Sequence, residues 1–591
     1  MSKSLHKRLR FFTVVVVLVT LVLTGRLFWL QIYKYDYYVA KAENNRLREL
    51  PIMAARGEIM DRNGVLLATN RPGFAVSLLD WDKSKGDEII GLLSRLLEIP
   101  ETEIRKQIER QQFKTFAPIR IATDVSAEVV ARITERRPEL PGVIIEAQPV
   151  REYPLETVAA HVLGYMGAIS SQEYQEWGRD KGYRITDNIG KYGLEAAWEE
   201  YLRGQDGVEV VETNFYGQRV RELGKINPVA GHNLVTTLDT RLQRIAEEAL
   251  AGVISELREG GNEEAGKGAV VAMDPGTGQI LAMVSLPAYN PNSFYDDYSL
   301  LISDSNHPLI NKAISGMYPV GSTFKMAVAT AGLEEGIISR NTILYCSGRK
   351  VYFAGEAPRG CHLGIVHGAV NVTRALQVSC NSYFFELGKR TGIDLIEQYA
   401  RNYTLGKKTG LQDLAGEAEG TLLCRREGEP WYPGNVLTAS IGQGHAITPL
   451  QLANYAAIIA NQGTHYRPYL VQKVVSPTGK VVLETEPEVL NRLDYAEATW
   501  QAVREGMEMV AMPGGTGSVL RNLPVKVAAK TGSAEAGTKE PHSLFVGYAP
   551  ADNPEIALAV IVEHGGLGYQ GAVPVAHRIL AEYYGDESRE E

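Results

Sequence analysis

Three kinds of hydrophobic pattern follow one another along the chain. The first is nearly unbroken: from Phe11 to Gly25 almost every side chain is apolar, and after Arg26 the run resumes through Tyr33. About 20 apolar residues span a bilayer, so residues 11–33 read as a transmembrane anchor behind a short tail, 1–10. That tail carries Lys3, Lys7, Arg8 and Arg10, and basic flanks stay on the cytoplasmic side. The rest of the chain is then expected outside the cell membrane. A cleavable signal peptide competes for the same stretch, but it calls for small residues at its far end; here stand Trp29, Tyr33, Tyr35, Tyr37 and Tyr38.

The second pattern, over 34–240, mixes short strands with amphipathic helices. Asn63-Gly64 is a turn signal before the strand-like 65–68, which predicts a hairpin. Helices are predicted over 88–99, 101–112, 127–136 and 191–204, the last closed by Gly204. His161 stands alone on an apolar helix and reads as structural. No nucleophile–base pair or metal spacing occurs in this part, so it reads as an elongated, non-catalytic pedestal.

The third pattern begins with a connecting helix and linker, 241–267, broken at Gly260-Gly261. Residues 269–284 read as strand–turn–strand, matched late in the chain by strands at 525–529, 543–548 and 556–563 and a closing helix at 573–583. The fold class expected is multidomain α+β, with a catalytic antiparallel sheet and a helical subdomain in 268–585, then an acidic tail, 586–591. Composition agrees: 591 residues, 45% hydrophobic, can bury two or more cores. A net charge of −9, with no basic segment after the first ten residues, makes nucleic acid an unsuitable partner. Four cysteines are too few for a disulfide scaffold.

The chemistry centres on Tyr318-Pro319-Val320-Gly321-Ser322-Thr323-Phe324-Lys325. Pro and Gly before the serine and a helix-competent run after it put Ser322 at or near a helix N-terminus. Lys325, three residues on, shares its face, so the two side chains can meet. A serine hydroxyl needs a base, and lysine serves as one when burial or a second cation lowers its pKa. S-x-x-K alone is weak, since Ser4…Lys7 and Ser347…Lys350 also match. It gains force because Ser379-Cys380-Asn381 and Lys530-Thr531-Gly532 follow in order. A rival, Lys408-Thr409-Gly410, lacks the preceding strand, and Lys408 reads as surface.

With these three motifs the chain resembles the penicilloyl-serine transferases. Residues 56–64, Tyr153-Pro154, His161-Val162-Leu163-Gly164, 192–204 and 233–239 extend the resemblance to class B penicillin-binding proteins. The stretches 346–382 and 192–204 favour the elongation type over the division type. The resemblance implies a peptidoglycan D,D-transpeptidase with Ser322 as nucleophile, Lys325 as base, Ser379 in proton relay and Asn381 holding Lys325 and the substrate amide. Lys530 and Thr531 would meet the substrate carboxylate, with Gly532 leaving room for the peptide. The N–H groups of Ser322 and Ser533 would form the oxyanion hole. Trp431-Tyr432-Pro433-Gly434-Asn435 and residues 440–444 would line the cleft. Implied partners are D-Ala-D-Ala stem peptides and their amine acceptors, β-lactams as covalent inhibitors, and a SEDS-family glycosyltransferase. A β-lactam sensor, a slow serine β-lactamase and an anchored protein with an idle cleft remain alternatives.

Cys346, Cys361, His367 and Cys380, at intervals of 15, 6 and 13, suit a structural zinc ion. The spacing matches no short finger; the resemblance adds the expectation, because some elongation-type relatives bind zinc at corresponding places. Cys380, flanked by two residues facing the cleft, should point the other way. The competing reading is a Cys346–Cys361 disulfide with Cys380 and Cys424 as thiols, and His362 stands as an alternative to His367.

Overall fold

A computed structural model describes residues 2–38, 47–78, 86–111, 118–213, 219–426 and 428–585. The expected acidic tail and the last residue of the helix predicted over 101–112 lie outside the described residues. A helix, Ser2–Phe28, runs on into a π-helical turn, Trp29–Tyr33. Within it Leu5–Tyr33, 29 residues of mean hydropathy 2.3, is long and apolar enough to cross a membrane.

The chain divides into two compact units. Met1–Arg56, Asn70–Val150 and Gly204–Ala230 form one; Gly57–Thr69, Arg151–Arg203 and Gly231–Glu591 form the other. In the first, helices Gly86–Leu97, Glu101–Gln111 and Ala127–Glu135 bury Ile89, Ile90, Leu93, Ile104, Ile108 and Ile133 against strand residues Val76, Leu78 and Ile121. A separate antiparallel sheet joins Leu47–Ile52, Gly207–Thr213 and Arg219–Ile226.

The second unit takes in three stretches that the sequence pattern groups with 34–240, namely 57–69, 151–203 and 231–240, and buried polar contacts tie the first two into it. Arg151 pairs with the fully buried Glu195 at 2.6 Å and donates to the Gly57 carbonyl at 2.7 Å. Asn292 bonds the Tyr153 backbone in both directions, and Glu247 accepts from the Ala159 N–H at 3.0 Å. A charge pair taken out of water depends on such hydrogen bonds, although Arg151 Nη2 is buried without a partner among the described residues. The predicted hairpin is present, with Ile59–Met60 antiparallel to the start of Leu66–Leu78 across a turn in which Asp61 accepts from Asn63 and Val65. The predicted helix over 191–204 is instead two short ones, Gly193–Ala197 and Glu199–Leu202. The Trp198 N–H turns back to the Leu194 and Ala196 carbonyls and ends the first. Gly204 is not its cap: the second ends on extended Arg203.

The catalytic part is a five-stranded antiparallel sheet between two layers of helix. Helix α1, Thr240–Glu259, is capped by the Asp239 side chain and precedes strands β1, Gly268–Met273, and β2, Ile280–Leu286. Helices α2 (Lys325–Glu334), α3 (Val372–Gln377), α4 (Asn381–Thr391) and α5 (Glu497–Ala511) come next. Strands β3 (Ala528–Ala536), β4 (Lys539–Ala549) and β5 (Ile556–Val562) and helix α6, Ala572–Gly585, close the chain. The order across the sheet is β2-β1-β5-β4-β3, leaving β3 at an edge. Both faces are covered, which is why β1, β2 and β5 read as near-continuous hydrophobic runs. Val270, Ala272 and Leu281 pack with Leu242 and Leu250 of α1 and Val573 and Ile579 of α6. Ala269, Val271 and Met273 belong instead to the helical side, with Phe324, Val328 and Leu450. Alternation along a strand divides the two cores.

Candidate active site

Ser322 lies on a 3₁₀ turn, Gly321–Phe324, that leads into α2. The turn is held by backbone in close contact. Gly321, in the left-handed region at φ 51°, donates to the Gly442 carbonyl at 3.0 Å. A Cβ on Gly321 would stand 2.5 Å from the Ser533 carbonyl, and one on Gly442 would stand 1.9 Å from the Gly321 carbonyl. Only glycine fits at either place. Tyr318, just before, donates its hydroxyl to Glu563 at 2.8 Å and pairs its backbone with Ile447.

Three motifs converge here. Lys325 is fully buried, and its Nζ donates to the Ser379 carbonyl at 2.8 Å, the Ser379 hydroxyl at 3.2 Å and Asn381 Oδ1 at 2.6 Å. Lys530, equally buried on the edge strand β3, donates to the same Ser379 hydroxyl at 3.0 Å and to the Thr531 carbonyl at 2.9 Å. Ser379 therefore bridges two amines. It manages this from a left-handed backbone, φ 53°, which turns both its carbonyl and its hydroxyl toward Lys325. Burial pushes the Lys325 amine down to about 7, against the opposing pull of the Cys380 and Cys361 sulfurs. Burial, and then the charge of Lys325, drives Lys530 well below its ordinary value.

The Ser322 hydroxyl makes no hydrogen bond among the described residues; the Lys325 amine points to Ser379 and Asn381, because those oxygens offer a buried cation three acceptors at once. Asn381 opens α4, with Cys380 as the N-cap.

Lys530, Thr531, Gly532 and Ser533 lie in register with β4 and against the serine turn. A Cβ on Gly532 would come 2.9 Å from Thr323 Cγ2 and 3.0 Å from the Val320 carbonyl. Ser533 accepts from the Gly568 N–H at 2.9 Å, and a Cβ on Gly568 would stand 2.7 Å from the Gly532 carbonyl. The rival Lys408-Thr409-Gly410 is elsewhere: Lys408 is exposed, while Thr409 is buried on Glu417 at 2.7 Å. His161 is buried beside the Pro308 carbonyl at 2.6 Å, and burial lowers its pKa to about 4, as a structural histidine would have.

Thr516 carried no signal in the sequence beyond its Gly514-Gly515-Thr516-Gly517 setting. Its hydroxyl lies 2.7 Å from that of Thr531, and its N–H reaches the Gln377 carbonyl at 3.3 Å, at the end of α3.

Behind the Ser379-Cys380-Asn381 turn sit four possible metal ligands. Cys346, Cys361, His367 and Cys380 bring their ligand atoms within 4.8 Å of one another. The Sγ atoms of Cys346 and Cys361 are 3.7 Å apart, those of Cys361 and Cys380 3.6 Å, and His367 Nδ1 is 3.6 and 3.5 Å from Cys346 and Cys361. Tetrahedral thiolates at about 2.3 Å from a metal stand roughly 3.8 Å from one another. The set fits a small cation. All four cysteines are free, so the expected rival disulfide is not formed; Cys424 is a half-buried thiol, and His362 is exposed rather than in the cluster.

Residues 268–582 match the family described as penicillin binding protein transpeptidase domain, and residues 51–236 the penicillin-binding protein dimerisation domain. The peptidoglycan D,D-transpeptidase MrdA of Acinetobacter baumannii is 36% identical, over 97% of this chain and 88% of its own. The chain belongs to the penicillin-binding protein transpeptidases. Among solved structures, a peptidoglycan synthase complex coordinating polymerization and crosslinking contains a chain 30% identical, covered over 99% of both lengths with a TM-score of 0.72. The fold is also that of penicillin-binding protein 2 of Helicobacter pylori solved with MreC, at 24% identity, 91% and 99% coverage and a TM-score of 0.77. These likenesses span both the dimerisation and the transpeptidase domains of the penicillin-binding protein 2 type.

Proposed function

We propose that this membrane-anchored penicillin-binding protein crosslinks peptidoglycan stem peptides during cell-wall elongation, through an acyl-serine intermediate on Ser322. The observation that carries the reading is the Ser379 hydroxyl held between the two buried amines of Lys325 and Lys530, beside the serine turn. An amine held near pKa 7 is a usable base at neutral pH.

Lys325 takes the proton of Ser322 as its oxygen attacks the carbonyl carbon of the penultimate D-alanine. The N–H groups of Ser322 and Ser533 receive the negative charge on the carbonyl oxygen. Ser379 gives its proton to the nitrogen of the departing D-alanine and regains one from Lys325, the C–N bond breaks, and the acyl-enzyme remains with Lys325 neutral again. Asn381 holds Lys325 and the substrate amide, while Lys530 and Thr531 hold the terminal carboxylate. The amine of a neighbouring stem peptide then attacks the ester, gives up its proton, and releases Ser322. A β-lactam copies the donor and leaves its acyl group on the serine.

Zinc is the metal the Cys₃His set favours, since thiolate and imidazole suit it in a closed tetrahedral site. Bound there it would supply a crosslink and no chemistry: Cys346, Cys361 and His367 would fix Cys380, and so the turn that carries Ser379 and Asn381. The apolar N-terminal helix supports an anchor in the cell membrane, and the basic tail ahead of it supports an N-terminus in the cytoplasm. A SEDS-family glycosyltransferase is the partner proposed, supported by the likeness to a chain of a peptidoglycan synthase complex.

The test is intact-mass analysis after exposure to penicillin, with the modified peptide mapped. One equivalent on Ser322, absent from Ser322→Ala, is expected. Label on another serine overturns the assignment.

A further inference from the structure

The hydroxyl of Thr531 is not held by its own strand. It stands 2.7 Å from the hydroxyl of Thr516, which comes from the glycine-rich turn after α5. That turn is tied to the element leading into Ser379: the Thr516 N–H reaches the Gln377 carbonyl at 3.3 Å, and Gln377 Nε2 donates to the Pro513 carbonyl at 3.2 Å. Thr531 is buried and Thr516 half-buried, so water competes little for the contact between them.

A hydroxyl has one proton to give. If Thr531 gives its proton to Thr516, it has none left for a carboxylate. If Thr516 donates to Thr531, the Thr531 proton is free and its oxygen is polarised by the bond it accepts. An arriving carboxylate selects the second arrangement. The geometry points to Thr516 as a positioning residue for carboxylate recognition: it donates to Thr531 and aims the Thr531 proton at the terminal carboxylate of the donor peptide or of a β-lactam. This inference rests on the transpeptidase reading and adds to it a second hydroxyl, placed by a turn that also braces α3.

The experiment compares acylation of the full-length protein by a penicillin and by its methyl ester, read as rate constants by intact mass. The wild-type enzyme should prefer the acid. Thr516→Val keeps the shape and removes the donor, and the acid-to-ester ratio should fall about 5- to 10-fold, the size of one lost hydrogen bond. Thr516→Ser should restore the ratio, and Thr516→Ala should lower it as Val does, which guards against a variant that fails to fold. The pH at which the rate is half-maximal should stay in place throughout, because Lys325 is untouched. A ratio unchanged in both Thr516→Val and Thr516→Ala overturns the role of Thr516 alone. A wild-type enzyme that neither penicillin nor ester acylates overturns the transpeptidase reading, and this inference with it.

Discussion

Toward the cleft, the Ser379-Cys380-Asn381 turn meets Lys325 and Lys530 through nitrogen and oxygen atoms that the chain supplies in full; each amine finds acceptors at 2.6 to 3.2 Å. Behind the turn, Cys380 joins Cys346, Cys361 and His367, whose sulfur and nitrogen atoms cluster at 3.5 to 3.7 Å. The front is complete as a hydrogen-bonded array, whereas the rear is spaced for a cation. In the proposed mechanism Ser379 relays a proton and Asn381 holds the base, while Cys380 between them would brace the turn. The contrast teaches that chemistry and bracing are separable here by which way a side chain points.

The sharpest way to break that contrast is at the front. Lys325→Ala should slow penicillin acylation by about 10²–10⁴-fold, the usual loss of a general base. Burial holds this amine near 7, and only its neutral form accepts a proton, so the wild-type rate should rise as pH passes through about 7 and level off above it. The variant should lose that inflection. Rapid-mixing rates across pH 5.5–9 would check it; a retained inflection assigns the base elsewhere.

Lys530→Ala should cost about 10–10²-fold with a carboxylate-bearing penicillin, the scale of a hydrogen bond to a charged group. With the methyl ester the loss should be smaller. Equal losses on acid and ester would move Lys530 from carboxylate recognition to the proton array.

At the rear the effect on chemistry should be less than about 10-fold, below the front variants, because it reaches the site only through the turn. Serine can cap α4 as cysteine does, so Cys380→Ser isolates the metal: zinc measured by elemental analysis should fall from one equivalent, with a lower melting temperature. A Cys380→Ser enzyme as slow as Lys325→Ala would mean that the two sides are not separable. The smallest effect belongs to the rival motif. Lys408→Ala, on an exposed side chain, should change acylation by less than about twofold and stability by about 0.5 kcal/mol or less.

Much of this was legible because residue type and order carry it. Ser322, Lys325, Ser379 and Lys530 stand out by type and order as the expected nucleophile, base, relay and carboxylate partner, and the strand pattern before Lys530 separated it from Lys408. Strands buried on both faces gave long apolar runs, so the sheet could be read as well. The bond partners could not. That Lys325 turns to Ser379 and Asn381, with no hydrogen bond to the Ser322 hydroxyl among the described residues, depends on where these segments meet. Thr516 was invisible because a lone threonine between glycines has no pattern; its meaning is one contact with Thr531. The helix predicted over 191–204 divides at Trp198, whose N–H turns back to the Leu194 and Ala196 carbonyls, a break its residue pattern did not signal.

The glycine contacts around Ser322 have an evolutionary consequence. A methyl group on Gly321, Gly442 or Gly568 would collide with a backbone carbonyl, and one on Gly532 with the Thr323 methyl. A lineage under pressure from an inhibitor that mimics its substrate has no small step available at these four positions, since the first added carbon collides with the frame that holds the nucleophile. Variation must come from side chains beside the frame that have open space, such as Tyr569 after Gly568 and Met317 before the serine turn, exposed by 58% and 51%. The frame thereby divides the neighbourhood of the serine into positions closed to adaptation and positions where it can begin.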